Sequence, residues 1–309
     1  MPLRSNQQRS IKVVRRLVRS IEKRTKPLFF RSRVMFWPKW RTFHNQERNK
    51  KFDFRLPKSV ETPGVTALLR VKNEETKIAS CLKSIYPLFA QIVVVNNNST
   101  DRTAEIVSEF KQSFDAQGKV TCYDYPFDIA RCGKEHASVQ SNSLHSLVYY
   151  YNYCLSLVQT RHVCKWDADM VAIGAGVQLR DLLRSVVDKG LHSAIFAGVT
   201  VYKQSEKEWY LSESEVNAEP RVALTSYLQC FEKSELWEVW QVVNSIDLSE
   251  SPVFYELKYL DESEFDHWDE ESIPTLQGRK RREYDVFYAL KRGSIPNGCR
   301  RMSAGNLFD

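Results

Sequence analysis

The chain has 309 residues, 42% hydrophobic and 12% aromatic, enough for a sizeable core and one large domain with extensions, which excludes a wholly disordered chain. Its formal net charge of +7 conceals a division: residues 1–60 carry 18 Lys/Arg against 3 Asp/Glu, a net of +15, and the other 249 residues carry a net of −8. No stretch approaches 18 consecutive apolar residues, which excludes a membrane-spanning helix.

In chain order, residues 10–24 (SIKVVRRLVRSIEKR) predict a basic amphipathic helix ended by Pro27, with Ile11, Val14, Leu17, Val18 and Ile21 at helical spacing. In the segment LFFRSRVMFWPKWRTF that follows, Phe and Trp interleave with Arg and Lys, so residues 1–43 suit an anionic membrane surface. Packing on the globule, a homo-oligomer contact and, less favoured, nucleic acid are the alternatives. Residues 45–62, polar, with Pro57 within and Pro63 just beyond, read as a linker. From Val65 the texture changes. VTALLRV reads as a buried strand, residues 74–86 as a helix and QIVVVNN as a second strand. STDRTAEIVSEF is a helix capped by Ser99 or Thr100, and KVTCYDY a third strand. Residues 143–158 form an amphipathic helix and HVCKW a fourth strand. Beyond them, 177–189 reads as a helix, SAIFAGVTVY as a strand, 204–220 as a polar mobile loop and 223–243 as a helix. Alternating strands and helices predict an α/β, doubly wound, mostly parallel sheet. Three regions follow: a basic arm and linker (1–60), a ligand-binding half (61–175) and a C-terminal half (176–309).

In such sheets ligands bind beyond the carboxyl ends of the strands, so the residues just after each strand matter most. Asp167 and Asp169 in KWDADMV follow the fourth strand. Two carboxylates converging from a turn match the oxygen-rich coordination of Mg²⁺ or Mn²⁺, which also takes substrate phosphates; a solvated turn is the plain alternative. In RVKNEE after the first strand, Glu74 or Glu75 can accept from a ribose hydroxyl or a base amide; a helix-terminal acid is the plain alternative, at least as strong for Glu75. The loop VVVNNNSTD offers amides to a nucleoside, or forms a turn and cap. None of the seven cysteines forms a Cys-x-x-Cys pair, and the first 25 residues lack the apolar core of a secretory signal, so reduced thiols in a cytoplasm-like compartment are expected.

LLRVKNEETKIASCLKSIYPLFAQIVVVNNNSTDRTAEIVSEF, followed by the Asp-x-Asp at 167–169, resembles the nucleotide-sugar half of a family-two glycosyltransferase with the GT-A fold, over roughly residues 64–175. The resemblance implies metal-dependent transfer of a sugar from a nucleotide diphosphate donor to a glycan or lipid-linked acceptor, with inversion, at the cytoplasmic face of a membrane. It implies donor contacts from Arg70, Asn73, Glu74, Asn97, Asp101 and Asp167, and metal contacts from Asp167, Asp169 and a C-terminal His267. The family's second-strand loop usually reads Asp-Asp-Gly-Ser-x-Asp; here it reads Asn96-Asn97-Asn98-Ser99-Thr100-Asp101, which leaves the donor base open. The family's carboxylate base has no clear copy. Glu232, Glu235 and Glu238, on one face of the expected helix near Trp237 and Trp240, make Glu235 and Glu238 the candidates, with Asp247 and Glu256 behind them. The rivals are a sugar nucleotidyltransferase, which usually carries a glycine-rich loop where RVKNEETK has none, and a non-catalytic protein binding RNA or an anionic polymer.

Overall fold

The computed structural model describes residues 37–260, 265, 273–276 and 278–303. The predicted helix at 10–24 lies outside the described residues. Residues from Trp40 onward form one compact unit. In chain order its elements are β1 (Trp40–Phe43), β2 (Phe54–Pro57), β3 (Val65–Val71), α1 (Ile78–Ile85), β4 (Gln91–Asn96), α2 (Thr103–Phe114), β5 (Val120–Asp124), α3 (Lys134–Ser138), α4 (Leu147–Ser156), β6 (His162–Asp167) and β7 (Met170–Ala172). Then come α5 (Val177–Asp188), β8 (Ser193–Lys203), β9 (Trp209–Leu224), β10 (Phe231–Lys233), β11 (Glu238–Trp240), β12 (Ser245–Tyr259), α6 (Gly278–Lys291) and β13 (Cys299–Met302).

The main sheet runs β5-β4-β3-β6-β9-β8-β12-β7, with β13 added to β9. The first four strands are parallel in the doubly wound order, with their point of reversal between β3 and β6. Beyond β6 the sheet is mixed, because β9 runs antiparallel to both β6 and β8. Alternation along β3 sends Ala67, Leu69 and Val71 to the face covered by α1, α2 and α5. Trp166, fully buried, closes that core: its ring meets Phe89 and Phe254 edge-on, and its indole N–H donates to the Met170 carbonyl at 3.2 Å.

The other face of the sheet is covered by α4, whose Tyr149-Tyr150-Tyr151-Asn152 run ties four pieces together. The Tyr149 hydroxyl donates to the Phe52 carbonyl and the Tyr150 hydroxyl to the Val95 carbonyl, both at 3.0 Å. The Tyr151 ring lies under the Arg70 guanidinium at 3.9 Å, and Asn152 exchanges two bonds with the Phe231 backbone. Ser146 caps this helix by accepting from the Tyr149 N–H.

Three expectations are corrected. Residues 45–62 are not simply a linker: β1 and β2 pair as a hairpin, Phe52, Phe54 and Leu56 are buried, and the Glu47 carboxylate accepts from Ser143 and from the Leu144 N–H. Residues 204–220 are not a mobile loop; most of them belong to the long strand β9. Residues 223–243 form no α-helix; a single 3₁₀ turn (Tyr227–Gln229) is followed by β10 and β11, which pair as a short antiparallel hairpin. The cap of α2 also differs. The Asp101 carboxylate accepts from the Thr103 N–H, while Ser99 and Thr100 bond to Asn73 instead. None of the seven cysteines is in a disulfide, and no helix among the described residues is long and apolar enough to cross a membrane.

Gly198 on β8 faces the ring of Phe254, and a methyl group there would overlap three of its atoms. Gly198→Ala must therefore displace the Phe254 ring from its packed position. A loss of about 1–3 kcal/mol in chemical denaturation is expected.

Candidate active site

The ladder between the two strands at the reversal point sets Arg70 of β3 opposite Asp167 of β6. Arg70 Nη2 donates to Asp167 Oδ1 at 2.7 Å, and Arg221 Nη1 from β9 donates to Oδ2 at 3.0 Å. Arg221 reaches this point through a local irregularity. Pro220 has no N–H for the ladder, and pairing shifts there from Ala194–Val222 to Ile195–Pro220. Arg221 is left as the extra residue of a bulge and is aimed at the crevice. Its other nitrogen meets Glu219 at 2.9 Å, and Glu219 also takes Lys165 at 2.7 Å. Burial alone would raise the Asp167 carboxyl; Arg70 and Arg221 outweigh it and hold the group well below the ordinary aspartate range.

Asp169 begins a second, adjoining set of charges. Lys258 of β12 donates to its Oδ2 at 2.9 Å and also meets Glu256 at 3.2 Å. Glu256 further accepts from Asn217 at 2.7 Å and from Arg279 of α6 at 3.0 Å. Asp169 Oδ1 is buried and has no hydrogen-bond partner among the described residues. Burial pushes the Asp169 carboxyl up to about 6; Lys258 opposes this, and Glu256 and Asp167 add to it.

Two loops at the mouth of the crevice are stapled by reciprocal bonds. The Asn73 N–H donates to Ser99 Oγ at 3.0 Å, and Asn73 Oδ1 accepts from the Thr100 N–H at 2.8 Å. The Glu74 N–H donates to Thr103 Oγ1, the Glu75 N–H to Asp101 Oδ2, and the Arg102 N–H to Glu75 Oε2. Left-handed backbone at Asn73 (φ 56°) and Asn98 (φ 51°) makes both turns possible.

The expected site residues thus separate. Arg70 and Asp167 are bonded at the crevice with Asp169 adjoining them, while Glu74, just after β3, has its carboxylate 3.6 Å from Lys77 Nζ. Asn73 and Asp101 stand at its mouth, with side chains engaged in joining the loops. Asn97 is turned inward, donating to the carbonyls of Tyr125 and Phe127. Glu235 and Glu238 share no helix face: Glu235 is exposed between β10 and β11, and Glu238 lies on β11. Glu238 is partly buried, 3.8 Å from the Cys132 thiol, where the charges of Lys165 and Arg70 reach it. Burial raises its carboxyl above the ordinary 4.5, against the pull of both cations. His267 lies outside the described residues. Sequence reading missed Arg221, Glu219, Lys258 and Arg279. The alternation Asn217, Glu219, Arg221 is the strand signal that would have found two of them.

A divalent cation fits Asp169 better than Asp167. Both Asp167 oxygens are held by guanidinium groups, whereas Asp169 keeps one buried oxygen without a partner. Among the described residues no cluster of three or more His, Cys, Asp or Glu side chains is poised to hold a metal. Mg²⁺ and Mn²⁺ need few protein carboxylates when substrate phosphates complete the shell, which suits a single aspartate here.

Residues 40–181 match the family described as beta-1,4-N-acetylgalactosaminyltransferase (CgtA). A stretch of 73 residues is 38% identical to the probable glycosyltransferase YdaM of Bacillus subtilis (strain 168), covering 21% of this chain and 17% of that protein. Among solved structures, TarS 1–349 of S. aureus aligns at 14% identity over 62% of this chain and 60% of that one, with a TM-score of 0.42. Glucosyl-3-phosphoglycerate synthase of Mycobacterium tuberculosis, in complex with Mn²⁺, uridine diphosphate and phosphoglyceric acid, aligns at 18% identity over 46% and 44%, with a TM-score of 0.30. The family match spans less than half of the chain and the shared stretch is a small part of the YdaM relative; both are described as glycosyltransferases, in agreement with the resemblance in the sequence.

Proposed function

We propose that the protein moves a sugar from a nucleotide diphosphate donor to a hydroxyl of a glycan or lipid-linked acceptor, with inversion at the anomeric carbon. The observation that carries this reading is the convergence of Asp167, Asp169 and the two stapled loops at the carboxyl ends of β3, β4 and β6. Asp169 would hold Mg²⁺ or Mn²⁺ through its unpartnered oxygen. Such a cation, when bound, neutralises the diphosphate and makes it a better leaving group. Arg70 and Arg221 keep Asp167 ionised and fixed in place, facing the donor. A donor hydrolysis assay tests the reading. Asp169→Asn should abolish the Mn²⁺-stimulated release of nucleoside diphosphate; undiminished release would overturn it.

Glu238 is the base in this reading. It takes the proton of the acceptor hydroxyl as that oxygen attacks the anomeric carbon and the bond to the diphosphate breaks. Trp237, 47% exposed beside it, suits stacking on an acceptor sugar. Trp240 does not, because its ring stacks on Phe231 and its N–H is bonded to the Gln229 carbonyl. A base must be deprotonated to act, so transfer should fall as pH drops through the Glu238 carboxyl. That limb should lie above the ordinary 4.5, because burial raises this group. Glu238→Gln should lower kcat for transfer by about 10²–10⁴-fold and remove the limb from the kcat–pH profile.

The basic arm would place the enzyme on an anionic surface at the cytoplasmic face of a membrane; its net of +15 over residues 1–60 supports this. Changing Arg15, Arg16 and Arg19 together to Gln should reduce co-sedimentation with anionic vesicles and leave donor hydrolysis intact.

A further inference from the structure

A second hollow lies away from the charged crevice. β1, the segment before α4, α4 itself and β10 enclose a cavity of about 410 Å³, the size of a small-ligand site. Tyr149 and Asn152 of α4 and Phe231 of β10, all buried, form part of its wall. The phenylalanine rings that line it are already covered. Phe43 stacks on Phe54 at 4.8 Å and carries the Arg41 guanidinium over its ring at 4.8 Å, and Phe231 stacks on Trp240.

Four side chains that can donate line the same cavity: Arg41, His44, Ser141 and Asn142. Arg41 has no acidic partner among the described residues. His44 Nδ1 meets Asp53 Oδ2 at 2.7 Å; a carboxylate only accepts, so Nδ1 carries the proton and Nε2 is left over. Asp53 is fixed in turn by the Asn45 N–H and side-chain amide, both on its Oδ1. The Ser141 hydroxyl and the Asn142 amide make no hydrogen bond among the described residues, while the Asn142 carbonyl is anchored by the Gln46 N–H at 3.0 Å. One carboxylate, Glu232 of β10, completes the set, and it too has no ion-pair partner among the described residues. Its neighbour Lys233 is engaged, donating from Nζ to the carbonyls of Ala137 and Val139.

Donors gathered around a hollow suit the oxygens of a phosphate, and a guanidinium suits them best. Glu232 sets the charge. A headgroup bearing a further acid would be repelled there, whereas one bearing an ammonium would find its partner. A quaternary ammonium has no N–H to give Glu232, and the covered phenylalanine rings offer it little in exchange.

We propose that this cavity seats the phosphoethanolamine headgroup of a membrane lipid, with the phosphodiester on Arg41, His44, Ser141 and Asn142 and the ammonium on Glu232. The basic arm runs directly into β1 in the sequence, and Trp40, 54% exposed, starts that strand, as suits a face turned to a bilayer. This rests on the membrane reading above and adds to it a site on the globule and a lipid class.

Co-sedimentation of the full chain with uncharged vesicles tests it. Vesicles of phosphatidylcholine, and of equal parts phosphatidylcholine and phosphatidylethanolamine, both carry no net charge, so the basic arm meets the same charge on each. The parent should bind the mixed vesicles about threefold more tightly, the size of one exposed ion pair. Glu232→Gln should bring that ratio close to one, and Arg41→Gln should weaken binding to both vesicles. Each variant changes an exposed side chain, so its melting temperature should stay near that of the parent. The Arg15, Arg16 and Arg19 to Gln variant should keep the ratio. Soluble glycerophosphoethanolamine should release the parent from the mixed vesicles. Equal binding of the two vesicles by the parent, or a ratio that survives Glu232→Gln, would overturn the assignment, while the arm's attraction to anionic vesicles is left standing. Titration of the parent by glycerophosphoethanolamine without any vesicle preference would overturn the lipid as its source.

Discussion

Everything at the crevice depends on the pair of guanidinium groups that grip Asp167. Charges are costly to bury unless paired and hydrogen-bonded. Here Arg70, Arg221, Glu219 and Lys165 each find an opposite partner, so the carboxyl ends of β3, β6 and β9 can carry charge without losing the fold. The arrangement also separates two aspartates that stand one residue apart. Asp167 is held ionised by cations on both oxygens. Asp169 is buried beside other carboxylates and keeps an oxygen in reserve. One local motif thus holds two carboxyl groups with opposite tendencies, set by their neighbours rather than by their sequence.

The first half of the globule was legible because its strands are buried on both faces. VTALLRV and QIVVVN are continuous apolar runs, and the charged or amide residues at their ends fall at the crevice by topology alone. The second half was misread for a physical reason. In β9 the polar residues Asn217, Glu219 and Arg221 face the charge network rather than solvent, so the strand has the composition of a loop. In β10 and β11 the spacing of Glu232, Glu235 and Glu238 imitates a helical face. What organises that stretch is Phe231 stacked on Trp240 across a two-stranded ladder, a contact local periodicity does not encode.

The site was legible in kind more than in detail. Asp167, Asp169, Arg70 and Glu74 stand where strand ends had to place them. The roles of Asn97 and Asp101 could not be read, because whether an amide or carboxylate faces a ligand or a neighbouring backbone depends on the turn that carries it. Lys258 stands two residues from Glu256 on β12 and Arg279 comes from α6, and only the assembled fold brings Lys258 to Asp169 and Arg279 to Glu256.

The link between Asn152 and Phe231 has a consequence for register. By giving one bond and accepting one, the Asn152 amide imitates a strand neighbour and pins β10 at a single residue. The ladder it steadies is only three residues long, too short to hold its own alignment. A slip of one position would reverse which side chains point toward α4. Val239 would then stand where Glu238 does, and an apolar side chain would replace the only carboxylate that β11 carries. An amide on a helix thus decides which residue of a neighbouring hairpin stands beside the Cys132 thiol.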